Sequence, residues 1–241
     1  MIFYRTVGSF IFLFLVSCSS ISSYKLEGTE NIIEKKEIIA QSNFLVSSIA
    51  DATRKLHDIA WPIMKYNTDT CSNSVINAFG IMIAHSNDLP ASLRDSFYAA
   101  NPDSIKPDNT ISHLPMIVSI ANKSPAYNSK LMEGDLIVSI DNILVNSKNY
   151  KNLLDIATKN GSLSIKVKRL KEETLHHMQS EVICGYPVQA MISPIPNAYA
   201  DGSKIYITIA TLDFVKDDQE IAFLISHELA HNIYHYKGGA L

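Results

Sequence analysis

Residues 227–231 read His227-Glu228-Leu229-Ala230-His231. Two histidines four positions apart lie one turn apart on the same face of a helix. Neutral imidazoles so placed hold one Zn²⁺ at about 2.0–2.1 Å each. Glu228 adjoins the first of them and is set to take a proton from a metal-bound water, whose pKa the ion lowers, and to return it to a leaving amine. The chemistry implied is hydrolysis of an amide by an activated water. The competing reading is a pair of structural histidines on a core helix. A hydrolytic zinc site takes three protein ligands and keeps the fourth position for water, and the third is missing from any motif. No Asp or Glu follows Glu228. A third His six residues after His231 would fall on Lys237, and the Gly of that pattern would fall on Tyr234. His176 and Asp213 are upstream donors that no spacing rule supports.

These residues need a helix and something to hold it. Asp217 caps a helix start while Glu220, three residues on, reaches back in a capping-box arrangement. The apolar run Ile221, Phe223, Leu224, Ile225, Leu229, Ile233 makes it a core helix. Before it, a turn at Asp201-Gly202 leads into a β-forming segment, 204–212, with Ile205, Tyr206, Ile207 and Thr208 at its centre. Further upstream the pattern predicts strands at 116–120, 136–140 and 162–170, turns at Ser124-Pro125-Ala126, Gly134-Asp135 and Asp141-Asn142, and a helix over 149–157. Residues 172–179 read as a charged connector with His176-His177 as a solvated pair. Residues 71–100 carry no clear pattern, and 101–112 is loop. From Glu30 to about Ala60 the apolar residues recur at helical spacing, and Trp61-Pro62 is expected to end that helix.

The central order resembles a PDZ domain of bacterial proteases, through Ser124-Pro125-Ala126, Leu131, Gly134-Asp135, Ile137, Ile140 and Ile165-Lys166-Val167. That likeness implies an extended peptide added to a sheet edge. The carboxylate-binding loop would lie before the first matched strand, within 77–114, at no position the residues single out. A working peptide binder and a structural spacer both stay open. The C-terminal part, through Asn197-Ala198-Tyr199-Ala200-Asp201-Gly202, the segment 204–212, Asp218-Gln219-Glu220 and His227-Glu228-Leu229-Ala230-His231, resembles the HtpX and CAAX-prenyl-protease family of gluzincin zinc metallopeptidases, and more closely its periplasmic lipoprotein members. The resemblance implies one zinc ion on His227 and His231 with Glu228 as catalytic base. It also implies that Ile205, Tyr206, Ile207 and Thr208 form the edge that receives substrate. The family's third ligand is a Glu on a later helix, so the chain is expected to be a C-terminally truncated relative, with one side of its last helix poorly packed.

The chain has 241 residues, 46% hydrophobic and 19% charged, with net charge −3. Without a long basic run, nucleic acid is not an expected partner; the cluster from Lys166 to Lys171 is a solvated strand end. Residues 7–16 are almost uninterruptedly apolar, far short of the roughly 20 that span a bilayer. They end in Leu15-Val16-Ser17-Cys18, which reads as an export signal closing in a bacterial lipobox. Cys18 then carries lipid and anchors the chain facing the periplasm, and Ser19 after it favours the outer over the inner membrane; a soluble protein cleaved near the same place is the alternative. Cys71 and Cys184 remain. An oxidising compartment favours pairing them, at ~4 kcal/mol for so long a loop; two buried thiols is the alternative.

The expected fold class is α+β: an N-terminal helix, a PDZ-like small β domain and a partial zincin domain. The expected boundaries are a lipoprotein signal at 1–17, a tether at 18–29, a helical region at 30–70, the PDZ-like domain at 71–171 and the partial zincin domain at 172–241. Two functions follow: a zinc metalloendopeptidase acting on misfolded or misassembled envelope proteins, inactive if the third zinc ligand is lost, or a non-catalytic peptide-binding PDZ lipoprotein derived from such a protease. Protein or peptide substrates are the expected partners in both.

Overall fold

The computed structural model describes residues 29–71, 74–98, 100 and 114–234. The segments expected to be an export signal at 1–17 and a tether from Cys18 to residue 28, the stretch 101–113, expected to be loop through 112, and residues from 235 onward, Lys237 among them, lie outside the described residues. Two units divide the chain, Met1–Lys36 and Glu37–Leu241. Of the first, the described part is the opening of helix α1 (Thr29–Tyr66), where Ile32 and Ile33 are exposed. The second unit has an α+β fold. No helix among the described residues is long and apolar enough to cross a membrane.

Within the second unit, α1 buries Ala52, Leu56, Ala60 and Met64, one residue per turn along a single stripe. That stripe joins the core of the C-terminal part. The helix does not end at Trp61-Pro62, as the proline predicts, but carries Pro62 inside it and runs to Tyr66. An internal proline costs about 3 kcal/mol. Burial of Trp61 and Met64, at about 1.5–3 kcal/mol for each such side chain, offsets it.

The chain continues as β1 (Val75–Ala78), β2 (Ile81–Ala84), two short 3₁₀ segments, β3 (Met116–Ile120), α2 (Pro125–Asn128), β4 (Leu136–Ile140), β5 (Ile143–Leu144), α3 (Tyr150–Asn160), β6 (Ser162–Arg169) and β7 (Glu172–Gln179). An antiparallel sheet has the order β2-β3-β4-β6-β7, with β5 on β4. Its core holds Met116, Ile117, Leu136, Ile137, Ile140, Leu163, Ile165 and Val167, closed by Tyr150, Leu153 and Ala157 of α3. This is the strand, short helix, strand, helix, strand order expected for a PDZ-like domain.

Residues 172–179 are not a connector: β7 pairs with β6 along its whole length, from Arg169↔Glu172 to Ser162↔Gln179. Its residues are mostly exposed, so their polarity reads as loop, but backbone pairing holds them and Met178 is buried opposite Leu163. The boundary at 171/172 therefore falls in a β-hairpin rather than between domains. The unpatterned stretch 71–100 supplies β1 and β2.

The rest of the chain is β8 (Glu181–Cys184), β9 (Val188–Met191), β10 (Ala198–Ala200), β11 (Ile205–Thr208), α4 (Ile209–Phe214) and α5 (Asp218–Tyr234). β8 pairs with β1. β11 lies between β10, antiparallel, and β9, parallel. The expected strand 204–212 is cut short because Thr208 caps α4, its side chain accepting from the Thr211 N–H. Cys71, just past α1, is disulfide-bonded to Cys184 at the end of β8. Both cysteines are buried, in the core shared by α1, β9, β11 and α5.

Candidate metal centre

Helix α5 starts where Asp217 ends the preceding loop. The Asp217 carboxylate accepts from the Gln219 N–H at 2.8 Å, and its carbonyl accepts from the Ile221 N–H at 3.2 Å. Ile221, Ile225, Leu229 and Ile233 recur every fourth residue and are buried against Ile205 and Ile207. This one-sided burial turns His227 outward, leaves His231 half-buried and places Glu228 at 8% exposure. Phe223, one turn before His227, stacks on its ring with centroids 6.3 Å apart. The open side of the helix shows Phe223 and Tyr234 at 69% and 68% exposure.

The two imidazoles meet edge to face, centroids 4.7 Å apart, with their Nε2 atoms at 3.1 Å. The ligand atoms of His227, Glu228 and His231 all lie within 4.8 Å of one another, the one such group among the described residues. Two zinc–nitrogen bonds of about 2.0–2.1 Å opened to a tetrahedral angle separate the nitrogens by about 3.3 Å. The donor pair thus fits one Zn²⁺ with little adjustment. Neither His176 nor Asp213 joins the group. On β7, His176 uses Nδ1 with the Ser129 carbonyl at 2.7 Å and Nε2 with Thr174 Oγ1 at 2.8 Å.

The edge beside this helix is β10, not β11. Ile205, Tyr206 and Ile207 are paired on both sides, Thr208 is paired with Met191 of β9 and donates its N–H to the Asn197 carbonyl at 3.0 Å, and Ile205, Ile207 and Thr208 are fully buried. They cannot receive a further strand. The β-forming composition that marks them as a strand marks them as its centre, because central strands are the more apolar. β10 has β11 on one side and no strand on the other among the described residues. At its start, the Asn197 N–H donates to Thr208 Oγ1 at 3.0 Å and Thr211 Oγ1 at 2.7 Å. Tyr199 and Tyr206 stack across the pair, centroids 4.9 Å apart. In the turn after β10, Asp201 Oδ1 accepts from the N–H groups of Ser203 and Lys204, which holds its carboxyl down at about 2. Asn232, next to His231 and fully buried, accepts from the Gly202 N–H at 2.7 Å and donates to the Lys204 carbonyl at 3.1 Å.

A second feature escapes sequence reading. A cavity of about 320 Å³ lies between α1, the β1–β2 segment, α3 and the segment around Cys184, lined among others by His57, Trp61, Phe79, Ile81, Leu154 and Val188. His57 Nδ1 is 2.8 Å from Ser119 Oγ, and burial lowers its pKa to about 4, so the ring is neutral. The Trp61 indole N–H is buried without a hydrogen-bond partner. The Phe79-Gly80 turn precedes β2, an edge strand among the described residues, and lies within the 77–114 stretch before β3 where a carboxylate-binding loop is expected. Its signal is Gly80 followed by the apolar run Ile81-Met82-Ile83. For Asn232 the signal was its place four residues after Glu228, on the inner face of an apolar helix.

Fold and site together describe an α+β protein with a His-Glu-x-x-His helix beside a small mixed sheet. Residues 158–235 match the family model of Peptidase family M48, so the C-terminal part of the chain carries the features of a metallopeptidase family. No curated protein matches the chain. Among solved structures, the HtrA3 PDZ domain bound to a phage-derived ligand (FGRWV) is 23% identical, TM-score 0.34, over 46% of this chain and 92% of that one. The HtrA-type protease AlgW with tripeptide is 14% identical, TM-score 0.30, over 50% of this chain and 36% of that one. The PDZ domain of EpsC from Vibrio cholerae is 16% identical, TM-score 0.22, over 31% and 71%. The chain thus spans about a third of AlgW.

Proposed function

We propose that this chain is a zinc-dependent endopeptidase of the bacterial envelope, exported and lipid-anchored at Cys18, with the outer membrane favoured, and that it hydrolyses misfolded or misassembled envelope proteins. The observation that carries the reading is the facing Nε2 pair of His227 and His231, 3.1 Å apart, with Glu228 in the same cluster. His227 and His231 would hold a zinc ion, which would supply an acidified water and a positive charge for the developing oxyanion. Glu228 takes the proton of the attacking water and returns it to the leaving amine. β10, which has β11 on one side and no strand on the other among the described residues, receives the substrate as an added strand. The buried Cys71–Cys184 bond supports export, since such bonds persist in oxidising compartments.

The second reading is peptide binding without hydrolysis, favoured by the apolar cavity beside Phe79-Gly80 and edge strand β2. One experiment separates the two: zinc content and casein hydrolysis of the full chain, wild type against Glu228→Gln. Stoichiometric zinc in both proteins with hydrolysis in the wild type alone supports the peptidase. No zinc and no hydrolysis, with retained binding of unfolded peptide, supports the binding protein.

A further inference from the structure

Asn232 is an unusual choice for its position. A helix interior disfavours Asn, whose side chain competes for nearby backbone groups, and a buried carboxamide requires partners. Here both of its polar atoms leave the helix for the β10–β11 turn, Oδ1 to the Gly202 N–H and Nδ2 to the Lys204 carbonyl. That turn holds its own shape. Asp201 Oδ1 gathers the N–H groups of Ser203 and Lys204, the Asp201 N–H donates to the Lys204 carbonyl at 3.2 Å, and Gly202 sits at φ +90. The other end of β10 is pinned at Asn197 by Thr208 and Thr211. The apolar contacts of Ile225 and Leu229 with Ile205 and Ile207 are non-directional and tolerate sliding of helix over sheet. Two bonds from one carboxamide do not.

Resting on the peptidase reading, we propose that Asn232 is a positioning residue: it sets the height at which a peptide laid along β10 meets Glu228. It lies four residues after Glu228, so the same helix turn carries the base and the tie to the substrate strand. A leucine would fill the space and keep the core apolar, but would let β10 shift along α5. A misplacement of about 1 Å at a reacting centre costs on the order of 100-fold in rate.

The test uses the full chain loaded with zinc and a fluorogenic casein-derived peptide, comparing wild type with Asn232→Leu, Asn232→Ala and Asn232→Asp. With Leu and Ala, kcat is expected to fall on the order of 10- to 100-fold while KM stays within about twofold. Zinc affinity against a competing chelator stays unchanged, and amide exchange at Gly202 quickens. Asp keeps the acceptor for Gly202 and loses the donor to Lys204, so it falls between. A folded Asn232→Leu protein with wild-type kcat overturns the proposal, as does a kcat loss matched by an equal loss of bound zinc. If the wild type binds no zinc and cleaves nothing, the peptidase reading falls and this falls with it. An active wild type with an unaffected Leu variant removes this proposal alone.

Discussion

The Nε2 atoms of His227 and His231 face each other at 3.1 Å, one helical turn apart. Since an ion held there binds the folded chain, added zinc raises the wild-type melting temperature, by an amount set by its concentration relative to Kd; at 100 Kd the gain is about 2.7 kcal/mol. His231→Ala leaves one imidazole and abolishes that response. Melting curves with zinc and with chelator check this, and an equal zinc shift in the variant would remove His231 from the ligand set.

Cys71 and Cys184 close a loop of sequence separation 113 inside a core with no exposed edge at either sulfur. A double Cys→Ala variant should lose about 4 kcal/mol, mostly through the entropy of the unfolded chain. Urea midpoints for the two proteins measure it. An unchanged midpoint would mean that the α1–β8 junction is held by packing alone.

Acid should weaken the fold through His57. The unfolded residue takes up its proton at the ordinary 6.5, the folded one only near 4, because burial opposes the charged ring. Between these values the unfolded chain binds a proton that the folded chain does not. The contribution is fully present above pH 6.5 and lost as pH falls toward 4, on the order of 1–3 kcal/mol. His57→Gln keeps a partner for Ser119 and should flatten the slope of stability between pH 7 and 4.5, read from urea midpoints. A slope as steep as that of the wild type would assign the acid sensitivity elsewhere.

Gly80 and Gly161 both sit at positive φ, +71 and +73, yet only one has a crowded Cβ position. A Cβ at Gly80 would lie 2.2 Å from Ser124 Cβ, and Ser124 is fully buried as the cap of α2. At Gly161 the nearest atom is Ser180 Oγ, at 3.4 Å. Gly80→Ala is therefore expected to cost about 3 kcal/mol, and Gly161→Ala only the backbone cost of about 1 kcal/mol. Thermal denaturation of the pair tests the contrast, and equal losses would place Gly80 in a softer site than its neighbours imply.

Local patterns carried much of this molecule. The capped helix of the His-Glu-x-x-His segment and α3 each bury a face whose period shows in the residues, and the strands at 116–120 and 136–140, buried on both faces, show as short apolar runs. Where burial is one-sided and regular, side-chain type records it. Two elements failed that test for opposite reasons. β7 is mostly exposed, so nothing apolar marks it, and its pairing with β6 alone makes it a strand. Pro62 marks a helix end, but the packing of Trp61 and Met64 carries α1 past it.

The sequence by itself determined the chemistry on offer: two imidazoles and a carboxylate at helical spacing on a helix built to be buried along one side. Tertiary structure decided which strand lies beside them. A strand's residues report how deeply it is buried, whereas edge or centre depends on partners brought from elsewhere in the chain. β9, arriving from residues 188–191, covers β11 and passes the open edge to β10. The same holds for Asn232, whose carboxamide acquires its meaning only once the turn at Gly202 is folded against it.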